Sequence, residues 1–163
     1  MFQFNVKSRI SFTLNVLAEY HQFYLQDEQT ETDTPDDWGE QLATQMIAVD
    51  PGIIGIATAR NMRVPLRVDL FDVRPNGDID LWDHVTEASL DVPSGQIVIA
   101  GSMDYIPDAK RLSVAPGSYR VRVYYGGLDT LSEDGLEGED QYYVVIWPEK
   151  NSAPEILKKW SSL

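Results

Sequence analysis

The chain has 163 residues, with 26 acids against 13 lysines and arginines, a formal net charge of −13 and no cysteine. The missing cysteines exclude disulfides, thiolate nucleophiles and cysteine-ligated zinc, and no apolar run approaches the length of a membrane-spanning helix. The acidity disfavours direct binding to a nucleic-acid backbone and favours a basic protein partner.

Met1 to Ile10 lacks a basic start followed by an apolar stretch, so no signal peptide is expected and a cytoplasmic location is the simplest reading. The length suits one domain, residues 1–163. Period-two alternation dominates from the start. Phe12, Leu14, Val16 and Ala18 share one side of a strand, with Thr13, Asn15 and Glu19 opposite. Beyond them His21, Phe23 and Leu25 form the alternating set, so the apolar side changes parity near 18–21. A bulge or a corner would do this.

An acidic segment follows. Residues 27–40 hold Asp27, Glu28, Glu31, Asp33, Asp36, Asp37 and Glu40, without a lysine or arginine. Asp37 to Ile47 predicts a short helix, with Asp36 or Asp37 as N-cap and Leu42 and Met46 spaced for one face. Val64, Leu66, Val68 and Leu70 predict an inward-facing strand, and Pro65 marks a strand start or an edge. Pro75-Asn76-Gly77 is a turn signal before the next strand. There Trp82, His84, Thr86, Ala88, Leu90 and Val92 oppose Asp83, Glu87, Ser89 and Asp91, which predicts one wet face. Pro93-Ser94-Gly95 turns the chain into Gln96 to Ala100.

After Pro116-Gly117, Tyr119, Val121, Val123 and Tyr125 point one way, and Arg120, Arg122 and Tyr124 the other. Gly126-Gly127 ends that strand. The second acidic segment, 127–140, holds Asp129, Glu133, Asp134, Glu137, Glu139 and Asp140, again without a base. The two segments carry the whole charge excess. Tyr142 to Trp147 is apolar or aromatic throughout, which predicts an interior strand. Pro154 to Trp160 predicts a second short helix, with Pro154 at its first position. Seven to nine short strands with these turns predict an all-β fold, an antiparallel β-sandwich with one or two short helices.

No motif assigns catalytic or metal-binding residues, and no cofactor is expected. His21 and His84, the only histidines, both fall on apolar sides, where structural roles are common. Asn76-Gly77-Asp78-Ile79-Asp80 with Asp83, and the loop around Glu133-Asp134-Gly135, are oxygen-rich but lack the order of a calcium loop. A glycosidase needs two carboxyls fixed across a cleft, and acidic loops are poor hosts for that. The acidic segments have a plain reading as solubilising loops. Against it stand the missing counter-charges and the flanking aromatics Trp38, Tyr142 and Tyr143, an arrangement common at protein interfaces. The candidate partner-binding residues are therefore Asp36, Asp37, Trp38, Asp129, Glu133, Asp134, Glu137, Glu139 and Asp140. The two segments are expected to form one anionic face around Trp38.

Tyr20-His21-Gln22-Phe23, an acidic loop and Asp37-Trp38 opening a short helix resemble the competence protein J family. The Pro-Gly turn, the strand Tyr119-Arg120-Val121 and a final apolar strand are similar too. The resemblance spans 12–147 and is strongest at 20–38; the longer loop at 127–140 and the tail beyond Pro148 depart from it. It implies a small acidic inhibitor of a nuclease, hence a non-enzymatic protein that masks the basic surface of a nuclease or toxin. Tyr124-Tyr125-Gly126-Gly127-Leu128-Asp129 with Ser132-Glu133-Asp134-Gly135 resembles a second group of bacterial proteins, which implies no activity. The alternatives are a β-sandwich that binds calcium or a small ligand, and a hydrolase.

Overall fold

The computed structural model describes residues 6–31 and 38–163, which form eleven strands and one α-helix. The strands are β1 (Ile10–Leu17), β2 (Gln22–Asp27), β3 (Ile47–Asp50), β4 (Ile53–Ala57), β5 (Arg63–Leu70), β6 (His84–Val92), β7 (Gln96–Gly101), β8 (Lys110–Ser113), β9 (Gly117–Gly126), β10 (Gln141–Pro148) and β11 (Glu155–Lys158). The helix, α1, is Trp38–Gln45. The strands beyond the expected number are four-residue pieces such as β3, β8 and β11, too short to show alternation.

One sheet has the order β1-β5-β10-β9-β6-β11 and the other β3-β4-β2-β7-β8. Pairing is antiparallel except between β5 and β10. The alternating sets meet between the sheets: Val64, Leu66, Val68, Tyr119, Val121 and Val123 are buried there with Phe23, Leu25, Ile54 and Ile56. β10 is interior, buried on both faces from Tyr142 to Trp147.

The parity change near 18–21 is a corner. A short 3-10 turn, Glu19–His21, carries the chain from β1 in the first sheet to β2 in the second, with Tyr20 at φ 60° and His21 at φ 59°.

Three expectations are corrected. β5 is not an edge strand; Pro65 is tolerated because pairing with β10 starts only at Leu66, so no ladder donor is required on that side at 65. The chain from Pro154 to Trp160 forms β11 rather than a helix. It pairs with β6 around Glu155–Glu87 and Ile156–Thr86, and the Thr86 hydroxyl donates to the Glu155 carbonyl at 2.9 Å. Covering the open edge of β6 outweighs a weak local helix preference. Finally, the face of β6 expected to be wet is largely covered. β5 and β6 run parallel two strands apart, so residues 71–83 must cross the outer face of the sheet. This strap closes a second apolar cluster of Phe71, Val85, Tyr124, Tyr143, Val145 and Trp147. Beneath it Glu87 and Ser89 are buried: Arg120 and Arg122 donate to Glu87 at 3.0 and 2.7 Å, and Arg122 donates to the Pro75 carbonyl at 3.1 Å. The turn at Pro75-Asn76-Gly77 thus belongs to a crossing strap, not a hairpin.

Candidate partner-binding surface

The second acidic segment is a hydrogen-bonded structure rather than a loose tether. Gly127 has φ +64°, and a Cβ there would sit 2.3 Å from the Glu139 carbonyl oxygen, so only glycine lets the loop close on itself. The Thr130 hydroxyl donates to the Gly127 carbonyl at 2.7 Å and accepts from the Glu139 amide at 2.8 Å. Within the loop, the Ser132 amide donates to the Glu137 carbonyl at 2.8 Å. Asp134 accepts from the Ser132 hydroxyl and the Leu136 amide, which hold its carboxyl below the usual carboxylate range.

The loop is also anchored to the body. The Asn61 amide donates to the Gly135 carbonyl at 3.1 Å, and Arg60 donates to the Gly138 carbonyl at 3.1 Å. Asp140 is buried and takes two bonds from Arg60, at 2.9 and 2.6 Å, and one from the Tyr142 hydroxyl at 2.7 Å. Breaking such a buried pair costs about 3–5 kcal/mol. Asp140 therefore holds the loop down. Asp129, Glu133, Asp134, Glu137 and Glu139 are exposed on it. A groove of about 730 Å³ runs between Thr130 and Glu139 of the loop and Leu81 and Trp82 of the strap.

The first acidic segment behaves differently. Asp36 and Asp37, with Asp33, lie outside the described residues. Asp27 is buried and accepts from the Ser94 amide and hydroxyl, while Glu28 pairs with Arg111 at 2.7 Å. β2 runs from the corner at 18–21, beside the 127–140 loop, to Asp27 at the opposite end, where the Asp27 amide meets the Gly52 carbonyl. Six extended residues span roughly 20 Å. Asp27 and Glu28 are thus at the opposite end of the sandwich from the 127–140 loop, whereas Gly39, in the first turn of α1, lines a cleft with Tyr20 and His21 at the corner beside that loop. The single anionic face expected around Trp38 turns on Asp36 and Asp37, outside the described residues. Trp38 is itself buried: its ring lies against Gly55, where a Cβ would come 2.3 Å from Cζ2, and beside Tyr24.

The oxygen-rich strap is committed to backbone. Asp78 caps a 3-10 turn by accepting from the Asp80 amide, and Asp83 accepts from the Leu128 amide. Among the described residues, no three His, Cys, Asp or Glu side chains gather as a metal-binding group. Of the histidines, His84 is buried as expected, but His21 lies in the exposed corner turn, because the left-handed turn re-aims it. Sequence reasoning missed Arg60, which organises the loop, and the exposure of Tyr20. The parity change at 18–21 was the available signal for Tyr20.

No family model matches the chain, and no curated protein matches it. Two solved structures do. ComJ, inhibitor of the DNA degrading activity of NucA, from Bacillus subtilis, is 18% identical with a TM-score of 0.62, over 88% of this chain and 98% of that one. The protein described as Crocagin biosynthetic gene J is 15% identical with a TM-score of 0.56, over 92% and 99%. The chain has a ComJ-like fold. No helix among the described residues is long and apolar enough to cross a membrane.

Proposed function

We propose that the protein is a non-catalytic inhibitor that binds a basic partner, a nuclease or another basic toxin, and covers the surface that would otherwise hold phosphates. The observation that carries this reading is the 127–140 loop, which presents Asp129, Glu133, Asp134, Glu137 and Glu139 from a frame of its own hydrogen bonds. A loop backbone already held in place loses little freedom on binding, which favours affinity. The net charge of −13 steers a basic partner toward them. ComJ, with a similar fold, is an inhibitor of the DNA degrading activity of NucA. Asp36 and Asp37 stay within the proposed partner contacts, whereas Trp38 and Asp140 act through the fold. A cytoplasmic site of action fits this role.

The test measures DNA degradation by NucA with and without the protein, then binding kinetics at two salt concentrations. The variant replaces Glu133, Asp134, Glu137 and Glu139 with Gln or Asn. Inhibition by the wild type, with roughly tenfold slower association of the variant at low salt and a smaller gap at high salt, is expected. A variant that associates as fast as the wild type at both salts would show that the loop only solubilises. Added calcium should leave the melting temperature unchanged; a rise would favour the calcium-binding alternative.

A further inference from the structure

We propose that the partner docks on an apolar patch centred on Tyr20, and that its matching face is a basic protein surface with an apolar centre. This rests on the inhibitor reading above and names where the partner sits.

Tyr20 occupies the corner between the two sheets in the left-handed region, φ 60° and ψ 24°, followed by His21 at φ 59°. Glycine or asparagine suits such a position; a bulky aromatic costs about 1–2 kcal/mol there. Burial does not offset that cost, because Tyr20 is 70% exposed.

Three other segments are tied to the same corner. The Tyr20 amide donates to Asn61 Oδ1 at 2.9 Å, and the Ala18 amide to the Met62 carbonyl at 3.0 Å. The Asn61 amide in turn donates to the Gly135 carbonyl at 3.1 Å. The Ser102 hydroxyl donates to the Glu19 carbonyl at 3.3 Å. These bonds bring the segments that carry Met62, Leu136 and Met103 to the corner that carries Tyr20, and the three side chains are exposed by 45%, 41% and 62%. Four large apolar side chains from four separate segments, left open at one end, mark an interaction surface rather than scattered exposure. A cleft of about 340 Å³ opens beside them, between Tyr20, Leu42, Met46 and Trp160.

Charge selects the occupant. Glu133, Asp134 and Glu137 flank Leu136 on the same loop, exposed. A second copy of this chain would bring another net −13 against them. Nucleic acid and anionic lipid are repelled in the same way. A protein face with lysines and arginines around an apolar centre satisfies both the patch and its acidic surround. The apolar centre would govern dissociation and the acids association.

The test uses Tyr20→Asn, which removes the ring while keeping a residue that tolerates φ near +60°, and Leu136→Ser, with Val73→Ser as an exposed apolar control on the strap. Thermal melts establish that each variant is folded. Against NucA, the first two should lose affinity tenfold or more, mainly through faster dissociation, and the control should match the wild type. If the wild type inhibits NucA and both patch variants inhibit equally well, the docking surface is wrong and the inhibitor reading stands. If the wild type does not inhibit NucA, that reading falls for this nuclease. The docking surface is then decided by titrating the isotope-labelled protein with a peptide of alternating arginine and leucine. Amide shifts at Tyr20, Asn61, Met62 and Leu136 support it. Shifts confined to the acidic loop or the 27–31 end, or none at all, overturn it.

Discussion

His84 spends both ring nitrogens on backbone. Its Nδ1 accepts from the Trp160 amide at 3.0 Å, and its Nε2 faces the Gln45 carbonyl at 2.9 Å and must therefore carry the proton. A protonated ring would force a donor against the Trp160 N–H, and burial and nearby Lys159 also push its pKa below the ordinary 6.5. The unfolded chain binds a proton more readily than the folded one below about pH 6.5. Stability from this residue is thus full above that pH and is lost as pH falls toward the lower folded value. The stability gap between wild type and His84→Gln, measured by urea unfolding, should narrow from pH 7 to pH 5; a constant gap would refute this assignment. Period-two reading placed His84 on the inner face, but its hydrogen-bond partners lie 39 and 76 residues away and no local pattern reveals them. Trp38 shows the same limit. Its acidic neighbours suggested an interface anchor, while the residue that decides its fate is Gly55, whose missing side chain leaves room for the indole.

Elements with an unbroken inward stripe were legible: Val64–Leu70, Tyr119–Tyr125 and the two-sided Tyr142–Trp147 fall where alternation puts them. β11 was not, because Glu155-Ile156-Leu157-Lys158 has no alternation, and its conformation is set by the edge of β6. The corner at 19–21 was visible only as a parity change, since the sequence carries no glycine or asparagine where the backbone turns left-handed. That mismatch yields a prediction independent of binding. Tyr20→Asn should raise thermal stability, by about 2–4 °C for each kcal/mol of strain relieved in a chain of this size. A lower melting temperature would mean that the ring contributes to the fold. A gain in stability with a loss of partner affinity would mark the residue as kept for binding.

At the scale of the molecule, the charge reading was right about amount and incomplete about placement. Thirteen of the acids sit in two short segments, but Asp27 and Asp140 are buried structural groups, and Asp27 and Glu28 are far from the second segment. Spatial placement depends on strand direction, which a charge count does not contain. The remaining carboxylates repel one another in the folded state. Raising salt from about 10 to 150 mM shortens the screening length from roughly 30 to 8 Å, so the wild type should melt higher in salt. The variant with Glu133, Asp134, Glu137 and Glu139 neutralised should gain less. Equal gains would place the repulsion outside this loop.

The strap at 71–83 has a consequence for the order of events in folding. It joins two parallel strands across β9 and β10, so its outer-face contacts have nothing to rest on until those strands are paired. Arg74 illustrates this: it pairs with Glu149 at 2.7 Å and stacks on Trp147, at the end of β10 beneath the strap. Such contacts belong after the rate-limiting step. In stopped-flow experiments Arg74→Ala should speed unfolding and leave refolding nearly unchanged, whereas Val121→Ala, in the inter-sheet core, should also slow refolding. The strap would then act as a latch, setting how long the native state lasts more than how fast it is reached.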